Sequence, residues 1–309
     1  MQVNIMPTDP VSPGPKEFDA GQEIGGHMAR WFAFMLIDTN KRPVQFAPPW
    51  MSKRRGVEAL RPAPSESRIS CIVCAYNEAD RIRNILEAVN GHPALCEVIV
   101  VNDGSTDATE ALLAAYPHIR VISYTPNRGK TYALSRGIAA ASGDYLMLLD
   151  ADLAGVTAAD VQALADPVIS GWAQASISLR SNSLAFYRLI GLDFVSGERV
   201  LPAPLIREAV AAMEQLPRWG GEAFINNLVI REGLSIAVVD WPSVFNIRKY
   251  AKLGRWRGMM AEFSMIGDAF RVLSPIGVVR QNLALLRLVK RRSVSRPRIV
   301  AAEQAVASD

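Results

Sequence analysis

Three short runs of almost purely apolar residues, each followed at once by acidic or amide side chains, constrain this chain more than any other feature. Arg68-Ile-Ser-Cys-Ile-Val-Cys74 leads into Ala75-Tyr76-Asn77-Glu78, Glu97-Val-Ile-Val-Val101 into Asn102-Asp103-Gly104-Ser105-Thr106-Asp107, and Tyr145-Leu-Met-Leu-Leu149 into Asp150-Ala151-Asp152. Such continuous apolar runs suit strands covered on both faces. Between them, Asn77 to Val89 has helical spacing, with Ile82, Ile85 and Val89 on one face. Asp107 to Ala115 and Lys130 to Ala141 also read as helices, and Arg120 to Tyr124 as a further strand. Strands separated by helices of this length predict βαβ units, hence an α/β, Rossmann-like, mostly parallel sheet flanked by helices. Ligands of open α/β sheets bind beyond the carboxyl ends of the strands. The three polar clusters are therefore expected along one edge.

Composition sets the outer bounds. The chain has 309 residues, half of them apolar, which is globular and long enough for a substantial core. Residues 1–66 hold nine prolines and read as an irregular arm with one short apolar helix near 27–37. Residues 67–255 form the expected α/β domain, 256–292 carry C-terminal amphipathic helices, and 293–309 read as a disordered tail. Ala173 to Leu179 is a candidate fifth strand, and Met259, Phe263, Ile266, Phe270 and Leu273 make one helical stripe. Three cysteines (Cys71, Cys74, Cys96) exclude a disulfide framework, and Cys71-Ile-Val-Cys74 lies inside an apolar run, so it reads as buried strand. His27, His92 and His118 lack a spacing suited to structural zinc. No run reaches the ~18–20 apolar residues of a membrane span, and Met28 to Ile37 lacks the marks of a signal peptide. A cytoplasmic chain is expected.

Charge is uneven. From Arg248 to the C-terminus there are 13 Lys/Arg against 4 Asp/Glu, a net +9, while the rest carries 21 against 26, a net −5. On a helical wheel after Pro275, Arg280, Arg287, Lys290 and Arg291 share a sector, with Val278, Val279, Leu285, Leu286 and Val289 mostly elsewhere. That pattern fits a basic amphipathic helix, and six basic residues lie between Arg287 and Arg298. Near an anionic bilayer each is worth ~1 kcal/mol. A peripheral place on the inner face of the cell membrane is one expectation, and a charged solvated surface is the plain alternative. Aromatic residues are not interleaved with the basic ones, so nucleic acid is not expected as a partner.

Asp150-Ala151-Asp152 ends a strand with two carboxylates one residue apart, a spacing that lets them straddle a divalent cation bridging two phosphates. Mg²⁺ and Mn²⁺ favour such oxygen ligands; a turn with a helix-capping Asp is the alternative. Gly104 suits a tight turn, and Ser105 and Asp107 are accounted for by capping. Asp103 is not, and a base or ribose contact would explain it. Tyr76 offers a flat face and Glu78 an acceptor. Asn127-Arg128-Gly129-Lys130, at a helix start, suits a phosphate. The absence of Gly-x-Gly-x-x-Gly after the first strand argues against a dinucleotide oxidoreductase.

Together these motifs resemble the family 2 glycosyltransferases of the GT-A fold, in order and in spacing, over about residues 68–250. The resemblance rests on Cys74-Ala-Tyr-Asn-Glu78, Asn102 to Asp107, Asn127 to Lys130 and Asp150 to Asp152. It implies that Cys74, Tyr76, Glu78, Val101, Asp103, Lys130, Asp150, Ala151, Asp152 and Arg180 bind a nucleotide-sugar donor, with Asp152, and Asp150 beside it, at an Mg²⁺ or Mn²⁺ ion. Asn102 stands where the family usually has Asp. The second half is similar to the polyprenol-phosphate sugar transferases: Arg180 follows the fifth strand, and Ser196-Gly-Glu-Arg199, Pro242 and Arg248 match their pattern. Asn246 replaces a frequent histidine, and Ala154 a usual Gln.

The resemblance implies inversion by direct displacement, with Asp152 at the metal and Lys130 and Arg248 beside the leaving diphosphate; Asp152, Arg248 and, from its own sequence setting, Glu222 are the candidate catalytic residues. Glu222, after Gly220-Gly221, is a candidate base for a hydroxyl acceptor, or else a first-turn residue favourable to the helix dipole. A lipid-linked phosphate acceptor is already ionised and needs no strong base. A glycan hydroxyl acceptor, a nucleotidyltransferase and a non-catalytic nucleotide-sugar-binding protein are the other readings.

Overall fold

The computed structural model describes residues 67–218, 220–246 and 275–290. The arm before 67, the apolar stripe at 259–273, Arg248 and the tail after 290 lie outside them. Seven strands form the main sheet: β1 (Ile69–Ala75), β2 (Leu95–Asp103), β3 (Arg120–Tyr124), β4 (Tyr145–Asp150), β6 (Ala175–Arg180), β7 (Arg199–Pro202) and β8 (Ile236–Trp241). A two-stranded ribbon pairs β5 (Leu153–Ala154) with β9 (Phe245–Asn246). The helices are α1 (Ile82–Val89), α2 (Thr109–Leu113), α3 (Lys130–Ala140), α4 (Ala158–Ile169), α5 (Ala185–Ile190), α6 (Ala203–Arg207), α7 (Val210–Met213), α8 (Gly221–Glu232) and α9 (Pro275–Leu288).

The strand order is β3-β2-β1-β4-β7-β6-β8. Every adjacent pair is parallel except those of β7, which is antiparallel to β4 and β6. The carboxyl ends of β1, β2, β4, β6 and β8 therefore share one edge. Because β7 runs the other way, the residues that enter it, Ser196 to Glu198, reach that same edge.

Alternation along each strand decides which side chains face which helices. Ile72, Ile99, Val101, Leu146 and Leu148 point into one core beneath α3, α6 and α8. Ile69, Cys71, Val73, Val98, Val100, Met147 and Leu149 point into the other, beneath α1 and α4. Carried two residues further, the same parity puts Cys74, Asp103 and Asp150 on the α3 face. The sheet thus aims these groups toward the start of α3.

Element edges differ from the sequence reading in one instructive place. The first helix begins at Ile82 rather than Asn77, because Asn77 holds a positive φ of 55°, which Asn tolerates better than most residues. Its side-chain carbonyl accepts from the Thr106 amide at 2.8 Å, and its own amide donates to Ser105 Oγ at 3.0 Å. Asn77 is committed to tying the first site loop to the second. Among the described residues, no helix is long and apolar enough to cross a membrane.

Candidate active site

Lys130, the first residue of α3, joins two carboxylates from different elements. Its Nζ lies 2.7 Å from Asp150 Oδ1 and 2.7 Å from Glu222 Oε1. Burial alone would push its pKa down, but Asp150 and Glu222 outweigh that and hold it above the ordinary lysine value, so it stays protonated. Asp150 comes from the end of β4 and Glu222 from the first turn of α8. The triad is the electrostatic centre of the edge.

Asp150 is enclosed on another side by backbone. A Cβ on Gly197 would stand 2.6 Å from Asp150 Oδ1 and 2.8 Å from Oδ2. Only glycine lets the chain pass so close to the carboxylate. Gly197 was not among the expected site residues; its signal lay in the Ser-Gly-Glu-Arg stretch, where a glycine precedes two charged residues.

Asp103 is bonded within the loops of the site itself. It is buried, and its carboxylate accepts from Asn127 Nδ2 (2.7 Å), the Arg128 amide (2.8 Å) and the Gly129 amide (2.8 Å). All three donors belong to the loop that delivers Lys130. Gly129 has φ 97°, and a side chain there would strike Arg218 Cγ at 2.5 Å. Asp103 and Gly129 together set where α3 begins, and so where the ammonium sits. Asn102 accepts from the Ser105 amide at 3.2 Å and donates to Ser123 Oγ at 3.3 Å, which makes it a loop brace.

The remaining expected donor residues divide into two groups. Tyr76 is exposed at the rim, and Cys74 is partly exposed beside the triad, its thiol pushed up to about 12 by burial. Val101 is wholly buried under α3, so it supports the floor and presents no side chain to a ligand. Glu78 forms an ion pair with Arg81 Nε at 2.5 Å. Arg128 stacks its guanidinium 3.5 Å above the Tyr132 ring, which meets Tyr124 edge-on at 5.4 Å. Sequence reading passed over this exposed cation on an aromatic face.

On the far side of Asp150 lies a buried polar network. Arg180, at the end of β6, donates to Glu198 Oε1 at 3.0 Å and lies 3.6 Å from Asp193. Burial lowers its pKa, while Glu198, Asp193, Asp150 and Asp152 raise it to a net rise, so its charge is secure. Ser178 and Ser196 both donate to Glu198. Arg199 donates to Asn226 Oδ1 at 2.9 Å and to the Ser196 carbonyl. Asn226 in turn contacts Gln281 of α9 at 3.2 Å.

Asp152 follows the buried Ala151 in the turn between β4 and β5, half-buried. Among the described residues no group of three His, Cys, Asp or Glu side chains could enclose an ion. A single reachable carboxylate at the strand edge still fits Mg²⁺ or Mn²⁺, which usually take one or two carboxylates and complete their shell with substrate phosphates and water. Leu153 pairs with Asn246, whose side chain accepts from Asn182 Nδ2 at 2.9 Å.

Residues 70–180 match the model of glycosyl transferase family 2. The matched stretch runs from β1 to the last residue of β6, and holds Lys130, Asp150 and Asp152. Among curated relatives, the succinoglycan biosynthesis protein ExoO of Rhizobium meliloti (strain 1021) is 44% identical over 87 residues, 27% of this chain and 25% of that protein. The bactoprenol glucosyl transferase of Shigella phage SfV is 36% identical over 94 residues, 28% of this chain and 31% of that protein. The matched segment thus spans between a quarter and a third of those relatives. The glucosyl-3-phosphoglycerate synthase of Mycobacterium tuberculosis, solved with Mn²⁺, UDP-glucose and phosphoglyceric acid, superposes with a TM-score of 0.52 at 25% identity. The superposition covers 71% of this chain and 86% of that one. The fold is the GT-A fold.

Proposed function

We propose that this chain transfers a sugar from a nucleoside diphosphate donor to a lipid-linked phosphate, with inversion at the anomeric carbon. The observation that carries the reading is the Lys130 ammonium, held 2.7 Å from both Asp150 and Glu222 at the carboxyl edge of the sheet. That edge is where a GT-A protein binds its donor, and a fixed cation there meets the charge that develops on a departing diphosphate. Asp152 would hold the divalent ion, which supplies further positive charge to the diphosphate.

The chemistry follows from what each residue can do. An acceptor phosphate oxygen attacks the anomeric carbon, the bond from that carbon to the diphosphate oxygen breaks, and the electron pair leaves with the nucleoside diphosphate. An ionised phosphate brings no proton to this step. A hydroxyl acceptor would have to give its proton to a base. One oxygen of Glu222 is taken up by Lys130, which favours positioning over proton abstraction. Arg180, buried and carrying a secure charge beside the Asp150 side of the site, suits an anionic acceptor. The bactoprenol relative supports a polyprenyl phosphate.

A small phosphorylated acceptor is the second reading, favoured by the superposition on a protein solved with phosphoglyceric acid. Thermal-shift screening with UDP-, GDP- and dTDP-sugars, with and without Mn²⁺, tests the donor. Stabilisation by one nucleotide sugar that needs the ion is expected, and none with any of them refutes the reading. Transfer of labelled sugar to polyprenyl phosphate against 3-phosphoglycerate then separates the acceptors. Glu222→Gln is expected to keep near-wild-type turnover on the lipid phosphate.

A further inference from the structure

Helix α9 turns two unlike faces. Its inner face is seated by Gln281 and Leu285, both buried. Gln281 Nε2 donates to the Ala223 carbonyl at 2.9 Å and to Asn227 Oδ1 at 2.7 Å, both on α8. These bonds fix the rotation of α9 about its axis. The outer face carries Ile276, Val279 and Leu283, which are 61%, 56% and 52% exposed. Arg280 and Arg287 are exposed in the same sector, since positions 276, 279, 280, 283 and 287 follow the three-to-four-residue helical step, and Lys290 is exposed just beyond the helix end. The wheel reading had set Val279 apart from the cations; the packing of Gln281 brings them together.

Charge on this face is of one sign. Residues 269–302 contain eight Lys/Arg and no Asp/Glu. Arg280 and Arg287 make no ion pair among the described residues, and the Lys290 ammonium rests on the Trp172 carbonyl at 2.8 Å. Three aliphatic side chains in a row on one exposed helix face make an apolar stripe that water alone does not favour. Aliphatic side chains interleaved with cations, and without anions, suit the boundary between lipid headgroups and acyl chains.

We infer that the outer face of α9 docks on an anionic phospholipid surface. A second apolar patch lies elsewhere on the surface. Helix α5 exposes Leu184, Phe186 and Leu189, with Arg188, while its Tyr187 meets Phe194 edge-on at 5.2 Å. The Phe194 carbonyl accepts from Asn226 at 2.9 Å, and Asn226 also binds Gln281. One buried amide therefore links both apolar patches to α8, whose first turn carries Glu222. The inference extends the lipid-linked acceptor reading, but rests on α9 alone.

Sedimentation of the full chain with vesicles tests it. Binding to vesicles of about 30 mol % phosphatidylglycerol in phosphatidylcholine is expected, weakening with added salt. R280E/R287E should partition at least about 25-fold more weakly, at about fivefold or more per cation. V279S/L283S should also lose most of its binding, and both variants should keep the wild-type melting temperature. The inference is overturned if the wild type stays in the supernatant, binds neutral vesicles equally well, or binds no better than R280E/R287E. A concentration-dependent dimer that V279S/L283S converts to monomer, without vesicle binding, would assign the face to a second copy and overturn it too. Donor-dependent thermal shift of the same samples reads the donor site independently, so the two proposals can fail separately.

Discussion

Replacing Lys130 by Met removes the cation that, among the described residues, pairs with both Asp150 and Glu222. Both carboxylate oxygens lie 2.7 Å from Nζ, so they are at most 5.4 Å apart, the two legs laid end to end. At an effective dielectric of about 20, two like charges at that separation repel by about 3 kcal/mol. K130M should lose about that much unfolding free energy near neutral pH. The pH dependence has a definite sign. Repulsion favours the protonated form of either carboxyl in the folded variant, so the penalty is full while both are ionised and fades as pH falls. In the wild type, the stabilising contribution of Lys130 is complete below its ordinary value of 10.5 and is lost only as pH rises through the raised folded value. Urea unfolding at pH 8 and pH 5 is the assay, applied to wild type, K130M, E222Q and K130M/E222Q. The double variant, with one charge fewer, should be more stable than K130M at pH 8 and closer to it at pH 5. If K130M loses less than about 0.5 kcal/mol, or E222Q gives no rescue, the triad is not a coupled unit and the reasoning fails.

Gly197→Ala should force the Asp150 carboxylate back by about 0.8 Å, from 2.6 Å to the 3.4 Å of ordinary contact; donor turnover should fall about a hundredfold, and an unchanged rate in a folded variant would refute the close approach. Glu97 accepts from Ser70 and from the Ser142 amide and hydroxyl; although burial pushes its carboxyl up, these bonds prevail and hold it below its ordinary 4.5. Its stabilising contribution is present above 4.5 and lost as pH falls through the folded value, so Glu97→Gln should cost more at pH 7 than at pH 3 in chemical unfolding. Iodoacetamide at pH 8 should label the exposed Cys96 and spare Cys71 and Cys74, whose thiols burial pushes up; labelling of Cys74 as fast as Cys96, read by mass spectrometry, would contradict that burial.

Much of the sheet was legible because its strands are short, β-branched-rich runs bounded by polar loops. Arg120–Tyr124 is found as read, and the other early strands differ only by a residue or two at their ends. The clustering of Lys130, Asp150 and Glu222 was half legible. The motifs named each residue, but the ion pairs depend on a strand parity and a helix start that no single motif contains. Asp103 was placed at the right edge, but its hold on the next loop was not legible, since its three donors lie 24 to 26 positions away at residues 127–129. Asn77 looked helical by spacing, yet its side chain bonds to backbone 29 residues on. The orientation of α9 was hidden for a similar reason: a wheel ranks Gln281 as polar and outward, and only the Ala223 carbonyl and Asn227 make it an inward residue.

The reversed direction of β7 has a consequence for how such a chain diversifies. The stretch 181–198 leaves the sheet at the end of β6 and returns at the start of β7 on the same rim, so its returning end, Asp193 to Glu198, closes on Arg180 and Asp150. Its outer part, Leu184 to Leu189, is largely exposed and can change in length or sequence, whereas Asp193 to Glu198 must keep their places against Arg180 and Asp150. The family match ends at residue 180, where this stretch begins. A fixed rim beneath a variable tip would let one scaffold alter what meets its edge.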